Sequence, residues 1–197
     1  KVCQVKKQNG MWKTYVRGIE IKSKYLFFAM NAYEDLDKAN NTGKFSTVYY
    51  SQFATRALNS NEMSTILPGK EGCWDTAKIM SSFRVDDAGR LILGTMGNSE
   101  GFGKYVHTNW ANKKLKDLFP FLPNIEFNYR WSGKIAMTKD HIPKIVNFEE
   151  NALSCFGYSG RGIAPGTLFG KTCAAALLSE DLSVLPVSAV RQYNEVF

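Results

Sequence analysis

Apolar and polar positions alternate at short period over the first third of the chain, which predicts strands before anything else. Val2 and Val5 begin one strand, and the turn at Gln8-Asn9-Gly10 leads into a second carrying Trp12, Tyr15 and Val16. Gly18 interrupts that strand, and Ile19 to Ile21 starts a third. Residues 26–30 (LFFAM) are continuously apolar, as in a strand buried on both faces. The polar stretch 35–44 reads as a loop, and 46–58 (STVYYSQFATRAL) as one long strand rich in β-branched and aromatic residues. A short helix over 61–67 stops at Pro68-Gly69. Strands over 78–85 and 90–95 flank the tight turn Asp86-Asp87-Ala88-Gly89, and 97–104 reads as a mobile glycine-rich loop. Thr108 is placed as the cap of a helix running to Phe119, with Trp110, Leu115, Leu118 and Phe119 on its apolar face and Pro120 and Pro123 ending it. Residues 125–137, 142–146 and 152–156 read as strands. Residues 167–179 read as a helix with Leu168, Ala175 and Leu178 among its buried positions, and the tail from Glu180 as extended.

The sum is an α+β fold: a mixed, largely antiparallel sheet with flanking helices and no internal repeat. Across 197 residues, 44% are hydrophobic, which suffices for a substantial core and excludes a disordered chain. The net charge of +7 permits an anionic partner. However, the lysine clusters Lys6-Lys7 and Lys113-Lys114-Lys116 are short and lack interleaved aromatics, so no nucleic-acid partner is expected. Cys3, Cys73, Cys155 and Cys173 form no C-x-x-C pair, and His107 and His141 are the only histidines, so no metal site is expected. Isolated cysteines of this kind, with no signal peptide and no apolar run near the ~20 residues of a membrane span, suggest a cytoplasmic protein without a membrane partner. The chain starts at Lys1 rather than Met, which reads as a fragment or a processed product.

Residues 155–170, CFGYSGRGIAPGTLFG, set a glycine-rich hinge between a predicted strand and a predicted helix. Two readings stand at this point. One is an ordinary strand-to-helix turn. The other is a turn that brings backbone N–H groups and a helix N-terminus close to an anionic ligand. The spacing G-x-x-G-x-G is not the dinucleotide fingerprint G-x-G-x-x-G.

A preceding stretch, YRWSGKIAMTKDHIPKI at 129–145, gives W-x-G, then D-x-x-P, a spacer, a short apolar strand and G-Y-S-G-R-G. This order resembles the C-terminal part of the FAD-dependent D-amino-acid-oxidase-like family, which holds the glycine, sarcosine and D-amino-acid oxidases. The γ-glutamylputrescine oxidase group is the most similar. YLFFAMNAY at 25–33 resembles the family's strand ending in Ala-x-Asn-Ala-Tyr, and 46–58 its first long substrate-domain strand. WDTAKIMSSFRVDDAGRLILGTMG at 74–97 resembles its D-T, F-R, D-G-R-L-x-x-G hairpin, and LKDLFPFLPNIEFNYRWSG at 115–133 its helix leading into W-x-G.

The resemblance implies oxidation of a C–N bond in an amine or amino acid, with hydride transfer from the carbon beside nitrogen to flavin N5. It assigns Gly157, Ser159, Gly160, Arg161, Gly162 and Ile163 to non-covalent FAD binding, with backbone N–H groups of 160–163 at the flavin N1/C2=O edge. Arg161 adds a cation there, or is a surface arginine capping a carbonyl. Tyr50, Arg84 and Trp131 are its substrate-binding candidates. Their alternatives are a cross-strand ion pair for Arg84 and an ordinary core position for Trp131. Asp140 is expected to bind backbone N–H groups in the turn before Pro143. No catalytic acid or base is assigned, and neither histidine has a role. The cysteine that anchors FAD in sarcosine-oxidase-like members aligns near Ala136, and the lysine for a substrate carboxylate aligns with Ala164. The first departure argues against covalent attachment, and the second against an amino acid held in that manner.

The implied organisation is the end of the FAD-domain small sheet and a linker over 1–45, a substrate-binding domain over 46–150, and the closing strand, glycine turn and helix of the FAD domain over 151–197. The Rossmann βαβ unit has no counterpart in this sequence, so this part alone is expected to be inactive. Its partners would be a small amine or amino acid and an N-terminal FAD domain. The strand at 26–30 and the helix at 167–179 would then present apolar faces that drive self-association. The rival reading is a non-enzymatic β-rich module that binds a ligand or a partner subunit.

Overall fold

The computed structural model describes residues 2–33, 43–77, 80–122 and 125–194. Lys1, most of the expected loop at 35–44, the first two residues of the strand expected at 78–85, and Pro123 lie outside the described residues. The elements in chain order are β1 Val2–Gln8, β2 Met11–Val16, β3 Ile19–Ser23, β4 Leu26–Phe28, β5 Ser46–Ala57, α1 Ser60–Thr65, β6 Cys73–Trp74, β7 Ser81–Val85, β8 Arg90–Met96, α2 Gly103–Leu118, β9 Phe127–Met137, β10 Lys144–Glu149, β11 Ala152–Phe156 and α3 Ile163–Ser179. Mixed sheets with few helices make this the α+β architecture expected from the sequence. The chain folds as two units: Lys1–Thr47 with Ile135–Phe197, and Val48–Lys134. The expected substrate-binding segment, 46–150, contains the second unit whole and runs on into the first.

In the first unit, β1, β2 and β3 form an antiparallel meander. Its first turn is Asn9-Gly10, with φ of 51° and 74°, the left-handed pair that a two-residue hairpin requires. A second sheet has the order β10-β11-β4, with β11 antiparallel to β10 and parallel to β4. All five residues of β11 are buried. Beneath it Leu153 and Cys155 pack with Phe169, Cys173, Ala176 and Leu177 of α3. Two expectations change here. The run at 26–30 is not buried on both faces: only Phe28 of β4 is buried, because the strand pairs with β11 on one side alone among the described residues. The buried face of α3 is also not that of Leu168, Ala175 and Leu178, of which Leu168 is 51% and Leu178 72% exposed. The helix is apolar nearly all round, so periodicity did not select the correct stripe.

In the second unit, the five strands run in the order β6-β7-β8-β5-β9. Phe53 and Leu93 on one face pack against Ala111 of α2, and Leu91 and Val85 pack with Leu115, Ile66 and Ile125. α1 begins with a capping box, in which Asn59 Oδ1 accepts from Glu62 N and Glu62 Oε2 accepts from Asn59 N. α2 starts at Gly103, five residues before the cap placed at Thr108, which instead lies within the helix. Residues 97–102 are correspondingly tied down rather than a mobile loop. Gly97 N donates to Tyr49 O, Ser99 N donates to Ser51 Oγ, and Ser99 is buried. Among the described residues, no helix is long and apolar enough to cross a membrane.

Candidate functional site

The glycine turn between β11 and α3 is shaped by three residues with left-handed backbone. Gly157, Ser159 and Gly160 have φ of 83°, 51° and 84°. Gly157 serves packing: a Cβ there would lie 2.3 Å from Thr138 Cγ2. Its N–H donates to Asn31 Oδ1 at 3.1 Å, so the Asn of the Ala-x-Asn-Ala-Tyr stretch holds the start of the turn. Ser159 is spent internally. Its N–H donates to Ala136 O at 3.1 Å, and its Oγ donates to Gly157 O and accepts from Thr138 N. Arg161 N donates to Tyr158 O at 2.9 Å, closing the turn.

The N–H groups of Gly160, Gly162, Ile163 and Ala164 are different. Among the described residues no backbone or side-chain acceptor takes them, as the geometry of a helix start dictates for the last three. A Cβ on Gly160 would meet only Ile135 Cδ1, at 3.9 Å, with open space otherwise. Ile163 is 94% exposed, an apolar residue standing uncovered at the helix start. The first turn of α3 carries no acidic residue, so its positive end is uncompensated. Arg161 is exposed and has no ion-pair partner among the described residues. The arrangement offers oriented donors and an open backbone surface to an anionic, flat group. Neighbouring Ala136 is fully buried. Asp140 accepts from Ile142 N at 3.0 Å and pairs with Lys144 at 2.5 Å, and the Lys144 ammonium foremost holds its carboxyl below the usual range. It is a turn clasp, as expected.

The three substrate-binding candidates all lie in the second unit, on one face of its sheet. The register pairs Gln52 with Gly94 and Tyr50 with Met96 across β5 and β8, and Ser82 with Gly94 and Arg84 with Ile92 across β7 and β8. Tyr50, Gln52, Ser82, Gly94 and Arg84 therefore share the face opposite Phe53 and Leu93. Ser132 Oγ meets Ser51 Oγ at 3.0 Å on that core face, so strand alternation turns Trp131 to the side of Tyr50. Trp131 is 45% exposed, which sets aside the core reading. Arg84 is exposed and has no ion-pair partner among the described residues, so the cross-strand pair is not formed. Tyr50 Oη and Ser82 Oγ are 2.9 Å apart. Sequence reasoning did not single out Asn31, Gln52, Ser82 or Gly94. Strand parity with Tyr50 and Arg84 was the available signal for the last three.

Known proteins resemble this chain over most of its length. A probable oxidoreductase OrdL of Haemophilus influenzae is 26% identical over 184 residues, 91% of this chain and 42% of that protein. The γ-glutamylputrescine oxidoreductase of Escherichia coli is 25% identical over 167 residues, 80% of this chain and 37% of its own length. Among solved structures, glycine oxidase from Geobacillus kaustophilus superposes with a TM-score of 0.68 at 16% identity, over 95% of this chain and 50% of that one. The chain thus spans about two fifths of the curated relatives it matches. The model of the DAO family, described as FAD dependent oxidoreductase, matches residues 1–176, and the chain belongs to that family.

Proposed function

We propose that the protein carrying this chain oxidises the C–N bond of an amine or amino acid, and that this chain supplies its substrate-binding part and the closing turn of its FAD site. The observation that carries the reading is the set of free N–H groups at Gly160, Gly162 and Ile163, presented without a competing carboxylate at the start of α3. FAD supplies a hydride acceptor at flavin N5. Oriented backbone donors at the pyrimidine edge suit the negative charge that hydride uptake places there, because they need no reorganisation. The left-handed Gly160, open on its Cβ side, lets a flat ring system approach the backbone. Arg161, without an ion-pair partner among the described residues, adds a cation beside these donors.

Binding is non-covalent in this reading, since Ala136 stands where the related attachment cysteine aligns and carries no thiol. On the sheet of the second unit, the Arg84 guanidinium, unpaired among the described residues, is suited to a substrate carboxylate, bidentately. Tyr50 and Trp131 supply apolar walls with polar edges. The names of related proteins, γ-glutamylputrescine oxidoreductase and glycine oxidase, fit an amine or amino-acid substrate. The uncovered apolar positions Ile163, Leu168 and Leu178 of α3 suit a dinucleotide-binding partner portion, or a second copy when that portion is absent. A cytoplasmic location fits cysteines that form no disulfide among the described residues. The test is anaerobic mixing of the full flavin-loaded protein with a panel of primary amines and amino acids. Bleaching of the flavin band by at least one carboxylate-bearing amine is expected. A flavin that no amine or amino acid bleaches would overturn the reading.

A further inference from the structure

The start of α3 stands outside the core that the rest of the helix joins. From Ile163 to Leu168 no residue is buried, and the first buried side chain of the helix is Phe169. The free N–H groups of Gly162 and Ile163 therefore sit on a turn that its own side chains do not anchor. One neighbour supports it. The ring of Tyr158 runs along the helix from Gly162 to Gly166. A Cβ on Gly162 would meet Tyr158 Cβ at 3.3 Å and Cγ at 3.4 Å, and one on Gly166 would meet Tyr158 Cζ at 3.9 Å. Two glycines four residues apart lie on one helix face and give the ring a track of bare backbone. Gly166 N donates to Gly162 O at 2.9 Å, so the residues that the ring touches are those that close the first helical turn. The ring itself is fixed. It meets Phe169 edge-on with centroids 6.1 Å apart, and its Oη lies 3.1 Å from Cys155 Sγ. Burial pushes both the Cys155 thiol and the Tyr158 hydroxyl up, so both keep their protons at neutral pH and add no negative charge beside the donors.

We propose that Tyr158 is a positioning residue for the flavin site: its ring fixes the direction of the Gly162 and Ile163 N–H groups, and thereby how strongly they favour the negative edge of reduced flavin over the oxidised one. The consequence for the flavin rests on the amine-oxidation reading, whereas the geometry of the turn does not. Direction matters because hydrogen bonds weaken steeply with misalignment, and donors stabilise a developing charge best when they need not reorganise. Tyr158 acts through the turn. Its ring is the working part, since a thiol is a weak hydrogen-bonding partner and the hydroxyl contact with Cys155 adds less than the contact along the two glycines.

The test compares the full protein with its Tyr158→Leu, Tyr158→Phe and Leu177→Ala variants. Leucine keeps an apolar side chain at 158 but is too short to reach from Gly162 to Gly166. Leu177 packs in the same core near the far end of α3, so its truncation destabilises the helix without touching the turn. In the FAD-loaded protein, Tyr158→Leu should lower the flavin reduction potential by about 30 mV or more, a tenfold loss of preference for the reduced form. Tyr158→Phe and Leu177→Ala should keep the parent potential. With flavin removed, hydrogen exchange followed by mass spectrometry should run about tenfold faster across residues 163–169 in Tyr158→Leu and at the parent rate in Tyr158→Phe. A parent potential in Tyr158→Leu, an equal drop in Leu177→Ala, or unchanged exchange across the first turn would overturn the proposal. None of these outcomes bears on whether amines bleach the flavin. Conversely, flavin that no amine bleaches, but whose potential still depends on Tyr158, would sink the oxidation reading and leave the positioning role standing.

Discussion

Replacing Gly157 by alanine tests how the turn before α3 is built. Two separate costs apply. The residue has φ of +83°, which an L side chain adopts at about 1–2 kcal/mol. The new Cβ would also fall 2.3 Å from Thr138 Cγ2, more than an ångström inside ordinary contact. Thr138 is fully buried, and its Oγ1 donates to Ile142 O at 3.0 Å, so the side chain cannot turn aside without losing that bond. Overpacking of this kind costs about 1–3 kcal/mol. The sum is a loss of about 2–5 kcal/mol for Gly157→Ala. Gly160→Ala is the internal control. Its φ is +84°, but the nearest atom to its Cβ is 3.9 Å away, so only the conformational cost of about 1–2 kcal/mol remains. In a Thr138→Ser background the clashing methyl is gone, and Gly157→Ala should fall to the same about 1–2 kcal/mol. Urea unfolding of the four variants, followed by far-ultraviolet circular dichroism, reads these differences. Equal losses at Gly157 and Gly160, or no coupling between Gly157 and Thr138, would refute the reasoning.

Other predictions concern charge and surface. Arg56 grips Glu62 through two nitrogens at 2.8 Å, and this pairing foremost holds the Glu62 carboxyl down from 4.5 to about 2. The folded value lies below the unfolded one, so the stability it lends is complete above pH 4.5 and is lost as pH falls towards 2. Glu62→Gln should flatten the acid limb of the pH–stability curve in that window, and an unchanged limb would contradict the assignment. Arg84→Lys should raise KM for carboxylate-bearing amines about tenfold or more with little change for amines lacking a carboxylate, as steady-state kinetics on the full protein would reveal. Light scattering of the 197-residue chain should show self-association at high concentration, reduced by Leu168→Glu with Leu178→Glu on the exposed face of α3. A monodisperse monomer at every concentration would count against a sticky helix face.

Much of this fold was legible because local chemistry and tertiary context agree. Asn9-Gly10 is a hairpin turn wherever two strands flank it, and β5 has no competing helical period. α3 was harder. Leu168, Ala175 and Leu178 form one apolar stripe, and Phe169, Cys173, Ala176 and Leu177 form another one position further on, so the sequence favours neither. The start of α2 was missed because Gly101 and Gly103 look like loop residues and Phe102 offers no side-chain cap. In the turn, the glycine pattern located the free donors. It did not reveal that Ser159 and Arg161 spend their N–H groups on Ala136 and Tyr158. Asn31 was visible as a motif residue, yet its bond to Gly157 joins positions 126 residues apart, which spacing cannot reveal. Strand parity would have set Gln52 beside Tyr50, but only packing shows that its Oε1 is buried without a donor among the described residues.

The most direct test of the account is the visible spectrum of the full protein titrated with FAD, recorded before and after acid precipitation. The account predicts flavin bands that saturate near one equivalent, weaken when Gly160→Val fills the open side of the turn, and move entirely to the supernatant on precipitation. A folded protein that stays colourless with added FAD would contradict the flavin reading and favour a non-enzymatic binding module. Bands that remain in the pellet would contradict non-covalent attachment.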